Sequence, residues 1–252
     1  MYSLCVFPRE SPFFILKPLR SQHPRTDDRV RLTHVNFGIK MAPGAGMKYE
    51  LVVVGPLETN CYLVYDEETR ECAVIDPGAD PEKIIATIAD LELKPVIVLN
   101  THGHVDHIGA NSDIVQKYAV PLAMHAADTG MLQVSDYIEL SLLLGARNSP
   151  APDRLLADGD EVAIGRTSLR IIHTPGHTPG SIGFVHGGFL FSGDTLFCGG
   201  VGRTDLPGGS WKDLERSIRE RILSLPEETV VLPGHGPHTT VEQERSSNPF
   251  LT

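Results

Sequence analysis

Thr101-His102-Gly103-His104-Val105-Asp106-His107 follows, after Asn100, on the apolar run Val96-Ile97-Val98-Leu99. A short β-branched run of this kind reads as a buried strand, so the histidines fall where that strand ends. Alternate residues of an extended segment face the same way, which lets His102 and His104 grip one ion from one side. Asp106 and His107 come after the chain begins to turn and point toward a second ion beside the first. Four potential ligands within residues 102–107 form a specific metal signal.

Working outward, the flanking sequence alternates between two periods. Upstream, Leu51–Val54, Cys61–Tyr65 and Cys72–Ile75 are short β-rich runs separated by Gly55-Pro56, Asp66-Glu67-Glu68 and Asp76-Pro77-Gly78. Ile84, Ile85, Ile88 and Leu91 then fall at helical spacing after Pro81. Downstream, helices are expected over Ala110–Tyr118 and Asp128–Leu144. Strands follow at Glu161–Ile164, Leu169–Ile172, Ile182–Val185 and Phe189–Phe191, then a helix over Trp211–Leu223 and a strand at Thr229–Leu232. Strands followed by helices, twice over, predict an α/β fold of two packed sheets with helices outside.

Three further candidate ligands occupy the same kind of position, just past a strand end with a glycine nearby. His177 lies in His173-Thr174-Pro175-Gly176-His177-Thr178-Pro179-Gly180, Asp194 in Ser192-Gly193-Asp194-Thr195, and His235 in Pro233-Gly234-His235-Gly236. Rigid strand ends are where metal ligands are best held. His173 reads instead as a loop residue that orients a neighbour. His23, His34, His125, His186 and His238 read as structural or exposed.

Composition narrows the function classes. The chain has 252 residues, 41% hydrophobic, 21% charged and 6% aromatic, which excludes collagen-like, low-complexity and wholly disordered classes. Its length suits one large domain with an appendage as well as two domains. No apolar run approaches the ~20 residues of a membrane helix, so no membrane partner is expected. The net charge of -10 would repel a phosphate backbone, so nucleic-acid binding is not expected. Cys5, Cys61, Cys72 and Cys198 form no CxxC pair, which points to a reducing, cytoplasmic compartment.

The charge is uneven. Residues 1–46 hold seven Lys/Arg against Glu10, Asp27 and Asp28, whereas the rest of the chain is strongly acidic. The break near Met47, after Ala42-Pro43-Gly44-Ala45-Gly46, divides an N-terminal extension (1–46) from a domain spanning 47–252. The extension reads as a flexible tail, as sequence upstream of a start at Met47, or as an organellar presequence, which would place the protein in an organellar matrix.

The His-x-His-x-Asp-His cluster, the later His177, Gly193-Asp194-Thr195 and Pro233-Gly234-His235-Gly236 together resemble the metallo-β-lactamase superfamily from about Met47 to near the C-terminus. Glu58-Thr59-Asn60-Cys61-Tyr62-Leu63, Ala73-Val74-Ile75-Asp76-Pro77-Gly78 and Gly202-Arg203-Thr204-Asp205-Leu206-Pro207-Gly208-Gly209 are similar to its glyoxalase II-like (hydroxyacylglutathione hydrolase-like) branch, especially short members without the C-terminal helical domain. The resemblance implies an αββα sandwich of two mixed sheets with metals at one edge. It also implies that His102, His104 and His177 hold the first metal, Asp106, His107 and His235 the second, and that Asp194 bridges them.

The cofactor expectation is two Zn²⁺ per chain, with iron or a mixed iron/zinc pair as alternatives. Two Zn²⁺ with Asp106, Asp194 and a bridging hydroxide leave the centre near +1, so an acidic chain still attracts an anionic small molecule. Asp106 would orient the hydroxide, which attacks a carbonyl. No protonating acid is evident beyond the ligands, and a thiolate with a pKa near 8.5 leaves without one. The expected activity is therefore hydrolysis of a thioester. Arg203 is a candidate for a substrate carboxylate, although the aromatic hydroxyl of the branch's Gly-Lys-x-Tyr is replaced here by Asp205. The alternative is a persulfide dioxygenase, similar in its Gly-Arg-Thr-Asp segment, with one iron on His102, His177 and Asp194. β-Lactam hydrolysis fits less well: zinc β-lactamases generally lack a bridging aspartate.

Overall fold

The structure is a computed structural model that describes residues 46–132, 142, 143 and 145–251. The N-terminal extension lies almost wholly outside the described residues. So do residues 133–141 and 144 of the helix expected over Asp128–Leu144.

Two six-stranded sheets face each other. The first has the order β1 (Met47–Val54), β2 (Thr59–Asp66), β3 (Glu71–Ile75), β4 (Lys94–Leu99), β5 (Leu122–His125) and β6 (Arg154–Leu156). It is antiparallel from β1 to β3 and parallel from β3 to β6. In the second, β7 (Glu161–Ile164), β8 (Thr167–His173), β9 (Ile182–His186) and β10 (Phe189–Gly193) form an antiparallel meander. Beyond it, β13 (Val230–Pro233) pairs parallel to β10 and β14 (Thr239–Thr240) closes the edge. A hairpin of β11 (Leu196–Phe197) and β12 (Gly200–Val201) stands apart.

Strand alternation builds three cores. Tyr62, Val64, Ile75, Ile97 and Leu99 of the first sheet meet Ile171, Phe184, Phe191 and Leu232 of the second in the sandwich interior. The intervening residues Leu63, Cys72, Val74 and Val98 face outward, where Ile84 and Ile88 of α1 (Pro81–Asp90) and Ile114 of α3 (Asn111–Tyr118) cover them. On the other face, Leu214 of α4 (Trp211–Ser217), Ile218 and Ile222 of the π turn that continues it, and Val241 of α5 (Val241–Ser247) cover Ile172, Leu190 and Val231. This four-layered α/β sandwich is the predicted αββα architecture.

Three local expectations change. Ala126–Met131 is a 3-10 turn instead of the start of an α-helix. Its first turn is capped by His125 Nδ1, which accepts from Ala127 N–H at 3.2 Å, and the Asp128 carboxylate is drawn away to neighbouring loops. The short strands β5, β6 and β14 and helix α5 carry too few periodic residues to announce themselves; β6 pairs along β5 through its backbone. The expected helix over Trp211–Leu223 exists, but its second half is a π turn over Ile218–Ile222.

Candidate metal centre

All seven candidate ligands meet at one edge of the sandwich, because every loop that carries them leaves a strand there. The loop after β4 carries His102 and His104, and the short helix α2 (Val105–Ile108) turns Asp106 and His107 the other way. His177 follows β8, Asp194 follows β10 and His235 follows β13. Six of the seven are buried, and His235 is partly exposed. Candidate ligand atoms of His102, His104 and His177 lie within 4.8 Å of one another, as do those of Asp106, His107 and His235.

Hydrogen bonds on the far side of four of the five rings orient them, while His104 Nε2 is buried without a partner. Asp76 accepts from Thr101 Oγ1–H at 2.6 Å, so that hydroxyl can only accept from His102 Nδ1–H at 3.0 Å. His102 Nε2 is therefore a bare lone pair, buried without a partner. His177 Nδ1–H donates to the Arg203 carbonyl at 2.8 Å, His107 Nδ1–H to Asp76 Oδ2 at 2.9 Å and His235 Nδ1–H to the Leu57 carbonyl at 3.0 Å. The opposed nitrogens then face each other: His177 Nε2 with His104 Nδ1 at 2.8 Å, and His107 Nε2 with His235 Nε2 at 3.3 Å. Imidazole nitrogens directed at one another across buried space, with carboxylates alongside, fit cations.

The carboxylates distinguish the two groups. Asp106 Oδ2 lies 3.2 Å from His235 Nε2. Asp194 reaches both groups, with Oδ1 3.4 Å from His107 Nε2 and Oδ2 3.7 Å from His177 Nε2 and 3.6 Å from His235 Nε2. Burial alone would raise both acids, but the surrounding imidazoles hold Asp106 below and Asp194 well below the usual carboxylate range. Burial and neighbouring histidines push His102 well down, and burial with His177 brings His104 to about 4. Burial also opposes charge on His107 and His235, but Asp194 and Asp106 outweigh it and both are raised.

Close packing leaves no room for side chains at two glycines. A Cβ on Gly234 would sit 2.2 Å from Asp194 Oδ1 and 2.8 Å from His107 Cε1, and one on Gly202 would sit 1.9 Å from the Asp194 carbonyl oxygen.

Four supporting residues were not assigned from the sequence. Asp76 orients His107 directly and His102 through Thr101. Asn60 donates from Nδ2 to the Pro233 and Gly236 carbonyls, holding the His235 loop. Asp128 joins the loops after β4 and β8. The readable signal for Asp76 was its place at the end of β3, the parallel neighbour of β4. The Arg203 guanidinium pairs with Asp205 at 2.7 Å through both Nε and Nη2, and its carbonyl serves His177. His173, expected in a loop, is the last residue of β8; its Nε2 meets the Pro179 carbonyl at 3.0 Å and its ring stacks on His125. Cys198 lies on the β11–β12 turn beside Gln243.

The metallo-beta-lactamase superfamily profile matches residues 54–235, from the end of β1 through the last candidate ligand. The chain belongs to that superfamily. The hydroxyacylglutathione hydrolase GloC of Haemophilus influenzae is 38% identical over 81% of this chain and 98% of its own length. The mitochondrial persulfide dioxygenase ETHE1 of Mus musculus is 36% identical over 77% of this chain and 72% of its own. Among solved structures, the B3 metallo-beta-lactamase BLEG-1 superposes with a TM-score of 0.75 at 38% identity, covering 81% of this chain and all of that one. TTHA1623 in a di-iron-bound form superposes with a TM-score of 0.73 at 41% identity, covering 80% and 99%. Superfamily membership and the ligand geometry together make the chain a metal-dependent hydrolase in the broad sense. Among the described residues, no helix is long and apolar enough to cross a membrane.

Proposed function

We propose that the chain is a two-metal thioesterase of the hydroxyacylglutathione hydrolase type, acting on a small anionic thioester in a cytoplasmic setting, without nucleic-acid or membrane partners. The observation that carries the reading is the second ligand group. His107 and His235 are held by far-side hydrogen bonds just as His102 and His177 are, Asp106 lies beside them, and Asp194 reaches both groups. His102, His104 and His177 would hold one ion, Asp106, His107 and His235 the other, with Asp194 shared. Bound there, a pair of Zn²⁺ or iron ions supplies Lewis acidity and a water whose pKa falls to about 7.

The chain's own groups set the rest. Asp106 would orient the attacking water through the carboxylate it shares with His235. Asp106 and Asp194 are both held in the charged form, so neither offers a proton to a departing amine or alkoxide. A thiolate needs none. The 38% identity to GloC supports the same class.

Persulfide dioxygenation is the second reading. It would use His102, His177 and Asp194 alone and is favoured by the identity to the mouse dioxygenase. Parallel assays separate the readings: release of thiol from a hydroxyacyl-glutathione thioester, O₂ uptake with glutathione persulfide, and cleavage of a chromogenic β-lactam. The proposal expects thioester turnover to dominate. Persulfide-dependent O₂ uptake without thioester cleavage would overturn it, as would β-lactam cleavage alone.

A further inference from the structure

Asp128 is fully buried and belongs to none of the ligand groups, yet three donors converge on its carboxylate. Oδ2 accepts from the backbone N–H of Gly103 at 3.0 Å and from the Thr178 hydroxyl at 2.7 Å; Oδ1 accepts from the Gly180 N–H at 2.7 Å. Gly103 sits between His102 and His104, and Thr178 follows His177. The carboxylate therefore ties together the two loops that carry the first ligand group and touches neither Asp106, His107 nor His235.

The surroundings are shaped for it. A Cβ on Gly180 would lie 2.5 Å from Asp128 Oδ1, and one on Gly103 would lie 2.8 Å from Met131 Cβ and 3.1 Å from the Asp128 carbonyl oxygen, so both glycines admit the 3-10 turn that carries Asp128. Just before that turn, the ring of His125 at the end of β5 stacks on His173 at the end of β8, 4.3 Å apart and 12° from parallel. The second group is supported by the Leu57 carbonyl and Asn60, and by Asp76, which also reaches His102 through Thr101.

We propose that Asp128 is a positioning residue specific to the first metal site: its carboxylate clamps the His102–His104 loop to the His177 loop and sets the distance across which His104 and His177 meet. The proposal rests on the two-metal reading above. Asparagine is nearly isosteric but cannot satisfy the set, because its amide NH₂ must face either Gly180 N–H or the Gly103 and Thr178 donors.

The test is zinc titration of the metal-stripped full chain against a competing chelator, for the wild type and Asp128→Asn, with His104→Ala and His235→Ala marking which binding step belongs to which group. Wild type should bind two ions. Asp128→Asn should weaken by about 10- to 100-fold the step that His104→Ala abolishes, and leave unchanged the step that His235→Ala abolishes. Thr178→Val, which removes one of the three bonds, serves if Asp128→Asn does not fold by circular dichroism; it should weaken the same step by a smaller factor. A wild type that binds no zinc would defeat the two-metal reading and this proposal with it. Two tight ions in the wild type and unchanged steps in the variant would defeat the proposal alone. Equal weakening of both steps would reduce Asp128 to a general structural role and also overturn it.

Discussion

The two ligand groups lie side by side but are built from opposite electrostatics. His102, His104 and His177 are three imidazoles whose own charges repel, and burial holds His102 and His104 below their ordinary values. Asp106, His107 and His235 include a carboxylate, with Asp76 behind them, and there His107 and His235 are raised. The first group is a set of lone pairs ready for a cation. In the second, a cation must displace protons. Asp194 belongs to both, which makes it the residue through which the difference can be broken.

The largest effect is expected from Asp194→Ala. It removes the charge that faces His107, His177 and His235 at once, so turnover should fall by at least about 10³-fold and both binding steps should weaken in a zinc titration. Loss of only one step would show that the carboxylate serves one group. Next comes Asp76→Asn, which disturbs the orientation of His107 directly and of His102 through Thr101. Metal affinity should drop by about 10- to 100-fold, with the step belonging to His107 hit harder.

Acid sharpens the contrast. Metal must compete with protons on His107 and His235, so the second ion should leave first as pH falls below neutrality, and the first should persist to lower pH because His102 and His104 are held below their ordinary values. Metal content after dialysis at stepped pH reads this directly. In the metal-free chain the linkage signs are opposite. Raised His107 and His235 contribute stability below about pH 6.5 that is lost as pH rises through their folded values, whereas His104 contributes above about 6.5 and loses it as pH falls toward about 4. Thermal melts of stripped protein across pH should show both limbs.

The smallest effect is expected at Arg203. Its ion pair with Asp205 is exposed, and its carbonyl, not its side chain, holds His177, so Arg203→Ala should cost no more than about 1 kcal/mol in a thermal melt. A selective rise in KM for an anionic thioester would show that the guanidinium leaves Asp205 for substrate.

How much of this was legible depended on distance along the chain. Periodicity exposed the long strands and α1, whose apolar residues repeat often enough to be seen. The clustering of His102, His104, Asp106 and His107 marked the first half of the centre because a strand end places neighbours in space. His177, Asp194 and His235 could be recognised only because each repeats the same grammar of strand, glycine and ligand. Asp76 and Asp128 leave little trace, because their partners lie on other loops, and the folded chain alone brings them together. For the same reason the sequence pattern places Asp128 at the start of a helix, whereas its carboxylate holds two loops together.

The most direct test of the two-group account is the metal content of protein purified without added metal or chelator. About two ions per chain, zinc or iron, with one lost in His235→Ala and the other retained, is the predicted result. About one iron per chain, unaffected by His235→Ala and held with His102, His177 and Asp194, would contradict it.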